Sequence, residues 1–451
     1  MFDHRMIPYY LWFGGYIAIA VLAWLLLRKT RKPFLQSTTS LWLLLGAAFI
    51  VNVTLAVSNR CNDVDMRWFQ IWAQDVYKFG FSGFYENTQW VDYPPGYLPV
   101  LYVVGMLENV LHITDGHLVN VLYKLPVILC DLAGGALIYK IAKKKYDSSG
   151  AMPLYFTALY VFCPALLADT ALWGQLDGVS ALLIFISLYA LYEKKIVFSA
   201  FIYTLSFLVK PQSLLLMPIY LFFIGEQIYI ASKTKSLKEL KSVGIGLGLS
   251  LLLFTMYTAA FKGGRTDWFW LPKLYLSTMT SYGAASMGAM NFYGMFGLMG
   301  YSTEAKIFGI TAGNWSVMFI STSMVLSCML LVLRKDKERY LSAAVLLYVL
   351  LFTFAGSMHE RYLVTLLLSV LLLVLLKKSS VHLALFLSCV SVAFICVSRA
   401  LVSFWLNVNT DNHIISIIFS AVMVLTALSF CVIEFAECFR AKKQLECNEI
   451  K

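Results

Sequence analysis

Apolar runs of about 17–25 residues, the length a helix needs to cross a bilayer, recur along almost the whole of this chain. Within lipid a backbone must satisfy its own hydrogen bonds, and runs of this length do so only as helices. The sequence therefore reads as an all-α integral membrane protein. It is 60% apolar with a mean hydropathy of +0.73, which leaves no room for a sizeable soluble domain between the runs. The first run lacks a basic leading segment and a small-residue cleavage site. It is followed by Arg28, Lys29, Arg31 and Lys32, so it reads as a retained span, not a signal peptide.

Charge fixes the expected topology. The net charge is +11, and 24 of the 36 Lys and Arg residues fall in seven short clusters: 28–32, 140–145, 194–195, 233–241, 334–339, 377–378 and 440–451. Short clusters between apolar runs are the positive-inside pattern, and no nucleic acid partner is expected. Membrane lipid is the partner these clusters require. Placing all seven on one side predicts thirteen spans: 7–27, 39–58, 118–139, 152–170, 177–192, 196–209, 211–226, 243–261, 313–333, 340–356, 362–376, 381–398 and 414–434. The N-terminus then lies outside and the C-terminus inside. Residues 96–112 are apolar enough to resemble a fourteenth span. A crossing there would put Lys140, Lys143, Lys144 and Lys145 outside, and the run is short, with Pro99 and Glu108 in it. It reads as a re-entrant or interfacial helix within one long extracytoplasmic loop, 59–117. A second external segment covers 262–312, and the whole chain forms one polytopic domain. The nine cysteines show no CxxC and no metal-ligand spacing.

On this topology the unusual polar residues share one side. Asp63, Asp65, Asp92 and Tyr93 lie in the long loop. Trp173, Gln175 and Asp177 form the next external turn. Lys210 sits between two short spans, and His359, Glu360 and Arg361 follow span ten. Acids and bases gathered at a membrane boundary suit a phosphate-bearing lipid head group. A sugar on a lipid phosphate is already activated. Its transfer needs one base for the acceptor hydroxyl and cations for the departing phosphate, whereas hydrolysis of an ordinary glycoside needs two carboxylates. Simpler roles exist for several residues: helix capping for Asp177, an interfacial aromatic for Trp173, a snorkelling amine for Lys210, and a rigid turn at Asp92-Tyr93-Pro94-Pro95.

These residues resemble the GT-C superfamily of membrane glycosyltransferases over roughly residues 40–400. Asp65-Met66-Arg67-Trp68-Phe69-Gln70-Ile71-Trp72-Ala73 is similar to the D-x-x-x-F-x-x-W-A pattern of bacterial members. Asp92-Tyr93-Pro94-Pro95 is similar to a motif of the glucosyltransferase and mannosyltransferase branch of asparagine-linked glycosylation. Trp173-Gly174-Gln175-x-Asp177, Lys210-Pro211-Gln212, Asn291-Phe292-Tyr293 and His359-Glu360-Arg361 follow in family order. The resemblance implies a polyprenyl-phosphate sugar donor, an inverting transfer on the extracytoplasmic face of a cell membrane, and no divalent metal or other cofactor. It makes Asp65, or its neighbour Asp63, the catalytic base. Lys210, His359, Arg361 and Gln175 would hold the donor phosphate. Asp92, Tyr93, Trp173 and Asp177 would orient the acceptor or the loop. The acceptor is a glycan, lipid or protein, with cell-wall polysaccharide among the candidates. The competing class is a transporter or flippase of a lipid-linked sugar, for which the absence of a visible internal repeat is mildly unfavourable. A non-catalytic scaffold subunit is the third reading.

Overall fold

A computed structural model describes residues 6–27, 37–58, 63–146, 150–235, 237–406 and 414–449. The helices, in chain order, are α1 Ile7–Leu27, α2 Thr38–Ser58, α3 Asp63–Asn87, α4 Leu98–Val110, α5 Gly116–Lys145, α6 Met152–Val161, α7 Pro164–Leu167, α8 Asp177–Tyr192, α9 Ile196–Val209, α10 Met217–Thr234, α11 Lys238–Ala260, α12 Trp270–Thr280, α13 Phe292–Met295, α14 Ala312–Leu333, α15 Arg339–Phe354, α16 Val364–Lys377, α17 Ser380–Leu406 and α18 Ile414–Glu449. The protein is an all-α integral membrane fold. Among the described residues, nine helical stretches are long and apolar enough to cross a bilayer, and four shorter apolar ones are α8, α9, α15 and α16. Together these thirteen coincide with the thirteen runs read from the sequence. Several are longer than expected. α5 extends to Lys145 and α18 to Glu449, because helix continues past the end of the apolar run into charged sequence.

The layers follow from which helices are apolar all round. A helix with no polar face must be enclosed, and α16 is: Leu366, Leu368, Val370, Leu371 and Leu372 are wholly buried. α5, α8, α15 and α17 pack against it. The outer helices keep large apolar side chains exposed, such as Leu11 at 72%, Leu251 at 67% and Val325 at 64%. Lipid is as apolar as these groups, so their exposure carries no penalty in a bilayer.

The segment expected to lie along the membrane is the 13-residue helix α4, about 20 Å long. It is bound to α3 and α5 through polar groups. Gln74 Nε2 and Tyr123 OH each donate to Glu108 Oε2 at 2.7 Å. Gly105 rests on the Ala73 carbonyl, where an added Cβ would lie 2.6 Å from the oxygen. A second contact of this kind anchors the turn before α4: a Cβ on Gly96 would lie 2.4 Å from the Leu208 backbone carbon. The long loop is thereby held against the end of α9.

Three of the basic clusters, 140–145, 334–339 and 377–378, meet at one end of the bundle. Lys145 donates to Tyr192 OH at 2.7 Å, Lys337 to Glu193 at 3.1 Å, and the Lys377 ammonium pairs with Glu437 at 2.5 Å. There His382, Glu434 and Glu437 bring ligand-type atoms within 4.8 Å of one another. Arg334 pairs with Glu434 and lies 3.5 Å from Glu437, so that cluster already has its cations. The sheet content among the described residues is one two-residue hairpin, β1 Lys306–Ile307 and β2 Ile310–Thr311, with Ile307 opposite Ile310. Its turn residues Phe308 and Gly309 both have positive φ, 51° and 82°, the backbone that tight hairpins require.

Candidate functional site

The other end of the bundle gathers most of the polar residues singled out in the sequence. Asp65 is the third residue of α3. Its Oδ2 accepts from Trp173 Nε1 at 2.8 Å and from Gln175 Nε2 at 2.6 Å. Those donors follow a π-helical turn, Ala168–Trp173, closed by Gly174 at φ 89°. Packing here admits only glycine, since a Cβ would lie 2.4 Å from Met66 Sδ and 3.2 Å from Lys124 Cε. Lys124, wholly buried in α5, donates through Nζ to the Ala171 and Leu172 carbonyls at 2.7 and 3.3 Å. A helix end leaves such carbonyls without intrahelical donors, and an ammonium there also meets the negative end of the helix dipole.

The second constellation centres on Asp177, the first residue of α8, which is fully buried. Lys210 Nζ reaches both its oxygens at 2.7 Å. Gln212 Nε2 and Thr365 Oγ1 each donate to Oδ1 at 2.8 Å. Lys210 is delivered by a break in the helix path: α9 stops at Val209, Lys210 is extended (φ −149°, ψ 127°), and Pro211 starts a 3-10 turn. The amine expected to meet a donor phosphate thus already has an acidic partner, and Gln175, expected beside it, bonds Asp65 instead.

Arg361 links the two groups. Its guanidinium lies 5.5 Å from the Trp173 ring centroid, Nη1 donates to Glu360 Oε1 at 2.7 Å, and Nε stands 3.8 Å from Asp177 Oδ2. Nε is buried and has no hydrogen-bond partner among the described residues. The turn bearing Arg361 is fixed by the chain before α13. Met287 N donates to Met358 O at 2.9 Å, and Glu360 N donates to Met287 O at 3.2 Å. His359 packs edge-on against Tyr282, with centroids 4.6 Å apart. Burial first, then the nearby Arg361 and Lys210, pushes the His359 imidazole well below its ordinary pKa, so it is neutral at pH 7. Burial also raises the Glu360 carboxyl, against the opposing effect of Arg361.

Asp92 approaches from the long loop. Its carbonyl accepts from Thr278 Oγ1 at 2.8 Å, and Tyr282 OH lies 3.5 Å from Oδ2. Oδ1 is buried without a hydrogen-bond partner among the described residues. Burial raises the carboxyl to about 6. Arg361 lowers it and Asp65 raises it further. Tyr93 faces inward, with its ring 5.4 Å from that of Trp72.

These groups line a cavity of about 460 Å³. Asp92, Tyr93, Lys210, Gln212, Tyr282 and Arg361 are among its polar lining; Leu214, Pro218, Ile320, Met324 and Leu351 are among its apolar lining, most of it from α10, α14 and α15. The arrangement can hold an amphipathic molecule with an anionic head. The Asp63 side chain lies outside the described residues. Asn291 caps α13, accepting from Tyr293 N at 3.1 Å and Gly294 N at 3.3 Å. Sequence reasoning missed Lys124, Thr365 and Asp169, whose two carboxylate oxygens are buried without hydrogen-bond partners among the described residues. Lys124 and Asp169 were visible as charges within apolar runs. Tyr282 stood out only as one of the aromatics of the second external segment, and Thr365 carried no local signal.

With that geometry in place, residues 77–286, just under half of the chain, match the family model of PIG-U, a GPI transamidase subunit. The matched stretch includes Asp92, Trp173, Asp177 and Lys210; Asp65 precedes it and His359–Arg361 follow it. No curated protein matches the chain significantly.

Proposed function

We propose that this protein binds a lipid-phosphate-linked sugar, with the phosphate at Arg361 and the lipid chain leaving between α10 and α14, and transfers the sugar to an acceptor hydroxyl on the extracytoplasmic side. The observation that carries this reading is Arg361, whose buried Nε–H has no hydrogen-bond partner among the described residues and which lines a cavity with both polar and apolar walls. A buried donor without a partner is costly, and a phosphate oxygen would satisfy it with a charge-assisted bond. Lys210 would then act from behind, keeping Asp177 neutralised so that Arg361 remains available to the ligand. Neutral His359 would offer a hydrogen bond, not a charge. An external-loop carboxylate would take the acceptor proton as the anomeric carbon is attacked in line, giving inversion. The sequence-based reading assigns that task to Asp65, and the donor is of the polyprenyl-phosphate class.

A second reading has a specific observation in its favour. The PIG-U match is to a subunit of a GPI-processing enzyme and does not extend to Asp65. On that reading the cavity recognises a glycolipid phosphate without transferring anything. Purified protein in nanodiscs, titrated with polyprenyl-phosphate hexoses and assayed for release of free polyprenyl phosphate, separates the two. Transfer predicts binding and release, with both lost in Arg361→Ala; recognition alone predicts binding without release. A donor affinity unchanged in Arg361→Ala refutes both.

A further inference from the structure

Resting on the transferase reading, we propose that Asp92, not Asp65, receives the proton of the acceptor hydroxyl. Three observations converge on it. Asp92 lines the cavity together with Arg361 and Lys210, whereas Asp65 is not among the residues that form its wall. The oxygens of the two acids are also differently engaged. Asp65 Oδ2 accepts two short N–H bonds, from Trp173 and Gln175. Among the described residues Asp92 Oδ1 is buried with no hydrogen-bond donor, and Tyr282 OH makes a long 3.5 Å approach to Oδ2, beside the pull of the residue's own backbone N–H on the carboxylate. Buried acceptors are almost always paired in folded proteins, so an orphan on a residue that lines a cavity calls for a donor, which a small turn of the carboxylate would let a ligand supply. A sugar or polyol hydroxyl supplies that donor.

Asp92 is also held rigidly. Its carbonyl is bonded by Thr278, the next carbonyl accepts from Tyr85 OH at 2.8 Å, and two residues on begins the Pro-Pro-Gly turn that is pressed on Leu208. A base must be placed before it is tuned. The tuning agrees: burial brings the carboxyl to about 6, close to the operating range that serves a general base. The charged and titratable groups facing it are Arg361, Asp65, Tyr282, Tyr85 and Tyr93, with Lys210 on the same cavity wall.

In the step itself the acceptor O–H proton passes to the Asp92 carboxylate as the acceptor oxygen forms its bond to the anomeric carbon. The bond from that carbon to the phosphate oxygen breaks, and its electron pair leaves on the phosphate beside Arg361. The products are the new glycoside and the lipid monophosphate, and the proton on Asp92 then returns to solvent. Asp65 becomes a positioning residue. Its carboxylate fixes Trp173 and Gln175, and the Trp173 ring carries Arg361.

The test uses the full chain in nanodiscs with the same polyprenyl-phosphate hexose panel, reading donor affinity and turnover separately between pH 5 and 8.5. Asp92→Asn is expected to lower turnover by about 10²–10⁴-fold while leaving donor affinity within about threefold. Wild-type turnover should fall tenfold per pH unit below about 6, and Asp92→Glu should shift that limb. Asp65→Asn should weaken donor affinity along with turnover, because it acts through Trp173 and Arg361. Turnover unaffected by Asp92→Asn overturns the assignment of the base and leaves the transferase reading standing. Donor binding by the wild type with no turnover on any donor overturns the transferase reading, and the base with it.

Discussion

Replacing Lys210 by Met tests the central claim about how the site is held together. The substitution keeps the length and volume of the buried stem, so no cavity is opened. What is lost is the ammonium that lies 2.7 Å from both oxygens of Asp177, in a pair whose members are 3% and 0% exposed. Oδ1 keeps Gln212 and Thr365, each at 2.8 Å. Oδ2 keeps only Arg361 Nε, at 3.8 Å. Removing one member of a buried pair costs about 3–5 kcal/mol, since a buried charge is left behind. The two surviving donors and a small movement of Arg361 place the expected loss near 3 kcal/mol, at the lower end of that range. The double variant Asp177→Asn/Lys210→Met removes the stranded charge and should recover about 1–2 kcal/mol, because a pair in direct contact is not additive. Equilibrium unfolding in mixed micelles, followed by tryptophan fluorescence, measures all three variants. A Lys210→Met protein within about 0.5 kcal/mol of wild type, the range of a surface change, refutes the argument. So does a double variant no more stable than the single one.

Lys124→Met should destabilise the protein by about 1.5–3 kcal/mol, the worth of hydrogen bonds from a charged donor, and shift the Trp173 emission; Lys124→Arg should restore part of both. Gly96→Ala should cost about 1–3 kcal/mol or more, because its Cβ would meet the Leu208 backbone, which cannot move as a side chain can; melting in detergent reads it. Asp92 carries a pH signature in stability. Its folded carboxyl titrates near 6, above the ordinary value of about 3.9 in an unfolded chain. The folded state therefore binds the extra proton, and this contribution is fully present below about pH 4 and lost as pH rises through about 6. Asp92→Asn should accordingly gain stability over wild type at pH 8 and not at pH 4, checked by melting curves at both values.

The sequence alone determined the class of fold. Span length, apolarity and the placement of Lys and Arg are local properties, so thirteen apolar helices could be read before any contact was known. The α4 segment is unlike the spans in sequence, with Glu108 and Pro99 in it, and its 13 residues are bonded through Glu108 to Gln74 and Tyr123. The motifs also identified most of the residues that meet at one end of the bundle. Only the tertiary structure decided which of them bond to which. Lys210 meets Asp177 because α8 packs on α9, and Gln175 meets Asp65 because the turn before α8 is brought to the start of α3; both depend on packing between distant segments rather than on local pattern. For the same reason Lys124, Asp169 and Thr365 were read as parts of apolar runs until their neighbours were known. A charge in such a run is evident in the sequence, but whether it stabilises a turn, pairs with another charge or remains without a partner is set by what the fold brings within about 3 Å of it.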